Sequence, residues 1–138
     1  MVTRAMILAA GLGTRLAPLT LERPKPLVEV LGTPLVHFAL EHARRAGAKR
    51  VALNTHHLYP ALEEALGTRY RDVELVYSHE PVLRGTGGGA LGMRDALGGL
   101  DGPTLLLNAD ALIDLDIEAM VAHHRSSGPL ATLALQDT

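Results

Sequence analysis

The sequence predicts an α/β domain in which a parallel β-sheet carries helices on both faces. Five short apolar runs recur along the chain, at Ala5–Ala10, Arg50–Leu53, Val73–Tyr77, Thr104–Leu107 and Leu130–Leu135. Segments with apolar residues at helical spacing separate most of them, and glycine or proline closes each segment. Strands that alternate with helices in this way read as βαβ units joined by right-handed crossovers. A length of 138 residues fits one domain with a sizeable core.

Each element has its own signal. Ala5–Ala10 is an apolar strand that Gly11 and Gly13 end. A long glycine and proline loop follows, then a short extended piece at Leu27–Val30. Gly32-Thr33-Pro34 turns into a helix, with Thr33 as its cap and Pro34 at the first helical position. Leu35, Phe38, Ala39, His42, Ala43 and Ala46 share one face of that helix, and Gly47 stops it. After the strand Arg50–Leu53, a second helix starts near Pro60, buries Leu62, Ala65 and Leu66, and ends near Gly67.

The third strand is Val73–Tyr77, and the run Gly85-Thr86-Gly87-Gly88-Gly89 opens a helix through Leu97 that Gly98-Gly99 stops. Thr104–Leu107 is apolar on both faces, as expected of a central parallel strand. Asp116 caps the next helix, with Leu115 and Met120 as a hydrophobic staple, and Gly128-Pro129 ends it before the fifth strand.

Composition narrows the function classes. The net charge of −2 gives no basic footprint for nucleic acid or an anionic membrane. The absence of cysteine removes disulfide and thiol chemistry and is compatible with a cytoplasmic address. No apolar run is long enough to span a bilayer as a helix.

Ligands of open α/β sheets bind beyond the carboxyl ends of the strands. The glycine loop after strand one, His56-His57 after strand two, the glycine run and Asp110 after strand four all fall there. In the first loop, glycines let backbone N–H groups approach an anion, while Arg15 and Lys25 add full charges at two points. A polyphosphate is the simplest ligand. The Walker pattern is excluded because no Gly-Lys pair occurs. The dinucleotide fingerprint fails because Leu16 stands where its third glycine belongs and Pro18, Pro24 and Pro26 interrupt the helix it needs, which leaves a nicotinamide-dependent oxidoreductase a poor alternative. Asp110 ends an apolar strand, where a carboxylate is costly unless paired or bound to a cation, and oxygen ligands suit Mg²⁺.

Residues 6–27 read as an apolar strand, then Gly11-Leu12-Gly13-Thr14-Arg15-Leu16-Ala17-Pro18-Leu19-Thr20, then Pro24-Lys25-Pro26-Leu27. This order resembles the signature of the sugar-1-phosphate nucleotidyltransferases, whose fold is Rossmann-like. The resemblance implies transfer of a nucleotidyl group from a nucleoside triphosphate, UTP or GTP foremost, to a sugar-1-phosphate with Mg²⁺. It implies nucleotide contacts from Leu8, Ala9, Ala10, Gly11, Gly13, Thr14, Arg15, Lys25 and Asn108, with Arg15 on the departing pyrophosphate. Lys25 would meet the α-phosphate and the sugar phosphate, and prolines on either side hold it extended. Asp110, in Asn108-Ala109-Asp110, would bind the magnesium, making Arg15, Lys25 and Asp110 the catalytic set; Ala109 stands where the family commonly has glycine.

Gly87 and Gly88 are similar to the family's base-facing segment, while Arg84 departs from it. Asn54-Thr55-His56-His57-Leu58 resembles the segment after the second strand in uridylyl- and guanylyltransferases. Neither that histidine pair nor His123-His124 has cysteine or a helical partner at zinc-ligand spacing, so zinc is not expected. Asp114 and Asp116 read as turn and cap. Residues 1–138 correspond to the nucleotide-binding portion of a single nucleotidyltransferase domain, without the sugar-binding segments and second metal-binding aspartate expected to follow. A non-catalytic nucleotide-sensing relative is the remaining alternative.

Overall fold

The computed structural model describes residues 2–136. Five strands form the main sheet, and β2 and β3 pair separately. The elements in chain order are β1 (Arg4–Leu8), α1 (Leu19–Glu22), β2 (Glu29–Val30), β3 (Thr33–Pro34), α2 (Leu35–Arg45), β4 (Arg50–Thr55), α3 (Tyr59–Leu66), β5 (Arg69–Tyr70), β6 (Val73–His79), α4 (Gly85–Ala96), β7 (Thr104–Asn108) and α5 (Ile117–Ser127). The sheet order is β5-β6-β4-β1-β7, with β1, β4, β6 and β7 parallel and β5 antiparallel to β6.

The chain passes from β1 outward to β4 and β6, then returns to lay β7 on the other side of β1. That reversal puts a topological switch beside β1, where a crevice opens at the carboxyl ends. Alternate residues of β1 face opposite layers. Ala5 and Ile7 join a large cluster with Val36, Leu40, Leu53, Leu62 and Ile117 from the α2, α3 and α5 side. Met6 joins Ala52, Met93 and Leu97 in a smaller cluster under α4. Helices therefore cover both faces.

The helix ends follow the glycines. Past α2, the N–H groups of Gly47 and Ala48 bond to the carbonyls of Arg44 and Ala43; past α4, those of Gly98 and Gly99 bond to Asp95 and Arg94. Each pair caps its helix with a left-handed glycine, at φ 97° for Gly47 and 75° for Gly98. Asp116 Oδ1 accepts from Ala119 N at 2.9 Å, capping α5 as expected. Burial pushes the Tyr77 hydroxyl up to about 12, with the nearby Glu63 carboxylate adding to the shift. Tyr77 donates to the Gly67 carbonyl, joining β6 to the end of α3.

Several expectations are corrected. Thr33 does not cap α2: Thr33 and Pro34 are bridged to Val30 and Glu29, Leu35 is the first helical residue, and no side chain caps that end. The buried face of α2 centres on Leu35, Val36, Ala39, Leu40 and Ala43, with Phe38 and His42 only partly covered. Ala65 is exposed, because α3 is a short helix that presents only Leu62 and Leu66 inward. Lys25 is not held extended: Leu27 N and Val28 N bond to Pro24 O and Lys25 O, closing a 3₁₀ turn over Lys25–Leu27.

Thr104–Leu107 is not central. β7 borders the described sheet and Leu106 is 46% exposed, so only Leu105 and Leu107 face the core. Leu130–Leu135 forms no strand. The chain there is irregular, with Leu130, Leu133 and Leu135 largely in solvent and Thr132 tied by its hydroxyl to His124 Nδ1.

Candidate functional site

A cavity of about 330 Å³ opens at the carboxyl ends of the strands. Its wall takes Leu8–Gly11 from the exit of β1, Lys25 and Pro26 from the proline turn, and Asn54 from the end of β4. Glu80 and Leu83 come from beyond β6, Gly85 and Thr86 from the first turn of α4, and Asn108–Asp110 from the exit of β7.

The residues expected to bind nucleotide divide accordingly. Leu8, Ala9, Ala10, Gly11, Lys25, Asn108 and Asp110 meet on the wall. Gly13, Thr14, Arg15, Gly87 and Gly88 are not part of it. Arg15 stands exposed on a 3₁₀ turn, Thr14–Leu16, and makes no hydrogen bond or ion pair among the described residues. Gly88 lies in α4 where a Cβ would sit 2.5 Å from Arg84 Cβ, so it leaves room for that side chain, whereas a Cβ at Gly87 would meet nothing within 4 Å; Gly85 and Thr86 line the cavity.

The loop after β1 is fixed from several sides. Gly13 is left-handed at φ 66°, and a Cβ there would lie 2.9 Å from Thr20 Cγ2 and 3.1 Å from Lys25 Cβ. Thr20, buried in α1, donates its hydroxyl to the Gly13 carbonyl at 2.7 Å. The Thr20 carbonyl accepts from His57 Nε2 at 2.7 Å, and the Glu80 carbonyl accepts from His56 Nδ1 at 2.7 Å. Both histidines thus brace loops at the carboxyl edge.

Lys25 Nζ donates to Asp110 Oδ2 at 2.6 Å across the cavity rim. The side chains are 31% and 42% exposed, so water screens the pair and it contributes little to stability. It does hold one ammonium, from the proline turn, and one carboxylate, from beyond β7, side by side at the cavity rim. Asp110 Oδ1 has no partner among the described residues.

Beneath this rim lies a buried polar network, of which the sequence reading named Asn54 only as part of a resembling segment and Glu80 not at all. Asn54 Oδ1 accepts from Ala9 N at 2.7 Å, and its Nδ2 donates to Glu80 Oε1 at 3.0 Å. Glu80 Oε2 accepts from Arg84 N at 3.1 Å, beside the start of α4. Asn54 is 3% exposed and Glu80 2%. Asp110 does not itself close the strand, since β7 stops at Asn108 and the Asp110 side chain is 42% exposed; the burial cost falls instead on Asn54, after Val51-Ala52-Leu53, which its two hydrogen bonds offset.

A family model described as nucleotidyl transferase matches residues 4–138. The chain belongs to that family. It is 36% identical over 135 residues to the mannose-1-phosphate guanylyltransferase catalytic subunit beta of Drosophila melanogaster, covering 96% of this chain and 37% of that protein. It is also 36% identical over 141 residues to the UTP–glucose-1-phosphate uridylyltransferase of Synechocystis, covering 94% of this chain and 36% of that protein. The chain thus spans little more than a third of the curated relatives it matches.

Among solved structures, a UDP-glucose pyrophosphorylase complexed with UDP-glucose superposes at TM-score 0.77 and 23% identity, over 93% of this chain and 55% of that one. A putative glucose-1-phosphate thymidylyltransferase from Bacillus anthracis gives 0.78 and 23%, over 90% and 50%. These two likenesses establish the fold, and the family match establishes membership.

Proposed function

We propose that this chain is the nucleotide-binding portion of a sugar-1-phosphate nucleotidyltransferase, and that its preferred nucleotide is GTP. The observation that carries the reading is the meeting of the β1 glycine-loop exit, Lys25 and Asp110 on one cavity. In the reaction, an oxygen of the sugar-1-phosphate attacks the α-phosphorus of the triphosphate. The new P–O bond forms as the bond to the β-phosphate oxygen breaks, and pyrophosphate leaves with that electron pair. The nucleophile is already anionic, so no general base is needed. Lys25 neutralises charge at the α-phosphate, the loop amides after β1 cradle the phosphates, and Arg15, unengaged on its turn, is available to the pyrophosphate.

The donor set suits magnesium. Asp110 offers one carboxylate oxygen, Oδ1, without a protein partner among the described residues, while its Oδ2 is held by Lys25. Mg²⁺ takes one or two protein carboxylates and fills its remaining positions with water and phosphate oxygens. Held by Asp110, it would supply neutralisation of phosphate charge. A cytoplasmic setting, where nucleoside triphosphates are made, is the proposed location; among the described residues no helix is long and apolar enough to cross a membrane.

The relatives' names divide between guanylyl and uridylyl transfer at equal identity, so the base is argued from Glu80. Both its oxygens already face donors, and a carboxylate can accept further hydrogen bonds at each. Guanine presents two adjacent donors on its Watson–Crick edge, N1–H and N2–H₂. Uracil presents one donor between two carbonyls, which a carboxylate repels. Calorimetric titration with Mg²⁺ present tests the reading: GTP binds about tenfold or more tighter than UTP, and Lys25→Ala weakens GTP binding by about tenfold with the fold intact. Equal or tighter UTP binding overturns the base assignment, and undiminished GTP binding by Lys25→Ala overturns the phosphate site.

A further inference from the structure

Asn54 is almost wholly buried and takes no step in the transfer itself, yet it touches both halves of the cavity. Its carboxamide can be placed only one way round. The Ala9 N–H, the first amide beyond β1, requires the carbonyl oxygen on its side, at 2.7 Å. The NH₂ must then point at Glu80 Oε1, 3.0 Å away. Glu80 Oε2 in turn faces the Arg84 N–H at 3.1 Å. Both carboxylate oxygens of Glu80 thus accept a hydrogen from the protein. One backbone amide at the root of the glycine loop thereby sets, through Asn54, the donor that Glu80 Oε1 faces.

Packing reinforces this orientation. A Cβ at Gly89 would lie 2.6 Å from Asn54 Nδ2 and 3.0 Å from Glu80 Oε1, so the last glycine of the run leaves the network its space.

We propose that Asn54 is the positioning residue for base selection, coupling the loop after β1 to the carboxylate that reads the base. The inference rests on the assignment of Glu80 to the base, and it adds that the selectivity of Glu80 depends on the orientation of Asn54. Asn54→Asp keeps the acceptor for Ala9 N and replaces the donor with an oxygen facing Glu80. Two buried carboxylates at that distance share a proton, and the acceptor surface is spoiled. Glu80→Gln leaves an NH₂ facing either Asn54 Nδ2 or Arg84 N, a clash of donors in both flips. The double variant Asn54→Asp/Glu80→Gln removes that clash, because the new carboxamide at position 80 can donate to the new carboxylate at position 54 and accept from Arg84 N.

The test measures Mg-GTP and Mg-UTP binding by calorimetry, and melting temperature, for the 138-residue chain and these three variants. Expected is a GTP-over-UTP ratio that falls about tenfold in Asn54→Asp and in Glu80→Gln, with no further fall in the double variant, whose melting temperature exceeds that of Glu80→Gln. Asn54→Ala gives an independent reading should the acidic pair prevent folding, and the same fall in ratio is expected. A wild-type ratio in a folded Asn54 variant overturns the inference while leaving Glu80 as base reader. A wild-type chain that does not prefer GTP overturns both.

Discussion

Gly13 shows how much one missing side chain decides. A methyl group there would press on Thr20 Cγ2 at 2.9 Å and Lys25 Cβ at 3.1 Å, and the left-handed backbone at φ 66° disfavours any side chain. Thr20 cannot retreat readily, since its hydroxyl holds the Gly13 carbonyl and its own carbonyl holds His57. Gly13→Ala is therefore expected to cost more than about 1 kcal/mol in urea unfolding and to weaken triphosphate binding together with stability. Full stability in that variant would mean the loop relaxes without disturbing Lys25. At this scale the sequence was readable where a charged residue interrupts an apolar or proline-rich context. Lys25 between prolines and Asp110 at a strand end stood out, and the fold brings them within 2.6 Å. Glu80 did not stand out, because a lone glutamate after a strand reads as surface until its burial to 2% is seen. That Arg15, Gly87 and Gly88 do not line the cavity depends on helical turns that a motif does not specify.

At the scale of the element, the ends were more legible than the faces. Glycine closes α2 and α4 through paired backbone bonds, and Asp116 opens α5, because each signal needs only neighbours in sequence. Thr33 misled for the same local reason: it has the residue type of a cap, but the bridge between β2 and β3 claims its backbone. The two residues give a paired prediction. Asp116→Ala removes a hydrogen-bonded cap and is expected to lower stability by about 1 kcal/mol, whereas Thr33→Ala is expected to cost less than about 0.5 kcal/mol. Urea unfolding of both variants checks it, and the reverse order would restore Thr33 as a cap. The buried face of α2 was harder to read because Val36 and Leu40 are selected by the sheet beneath them, which helical periodicity alone does not locate.

At the scale of the whole molecule, the alternation of strands and helices was enough for a parallel α/β sheet, but not for the order of its strands. An apolar run such as Thr104-Leu105-Leu106-Leu107 looks the same whether both its faces are covered or one. In the structure β1 and β4 occupy the middle, and β7 borders the described sheet with Leu106 46% exposed while Leu53 of β4 is fully buried. The switch point beside β1, which creates the cavity, follows from this order, and so does an asymmetry in what the core tolerates. Leu53→Ala is expected to cost about 2–5 kcal/mol, the range for a leucine removed from a packed interior. Leu106→Ala, trimming a side chain that keeps much of its contact with water, is expected to cost less than about 1 kcal/mol. Equilibrium urea unfolding of the two variants against the parent chain measures both. Comparable losses would show that Leu106 is covered in solution, placing a further layer or strand against β7 and moving the edge of the sheet outward.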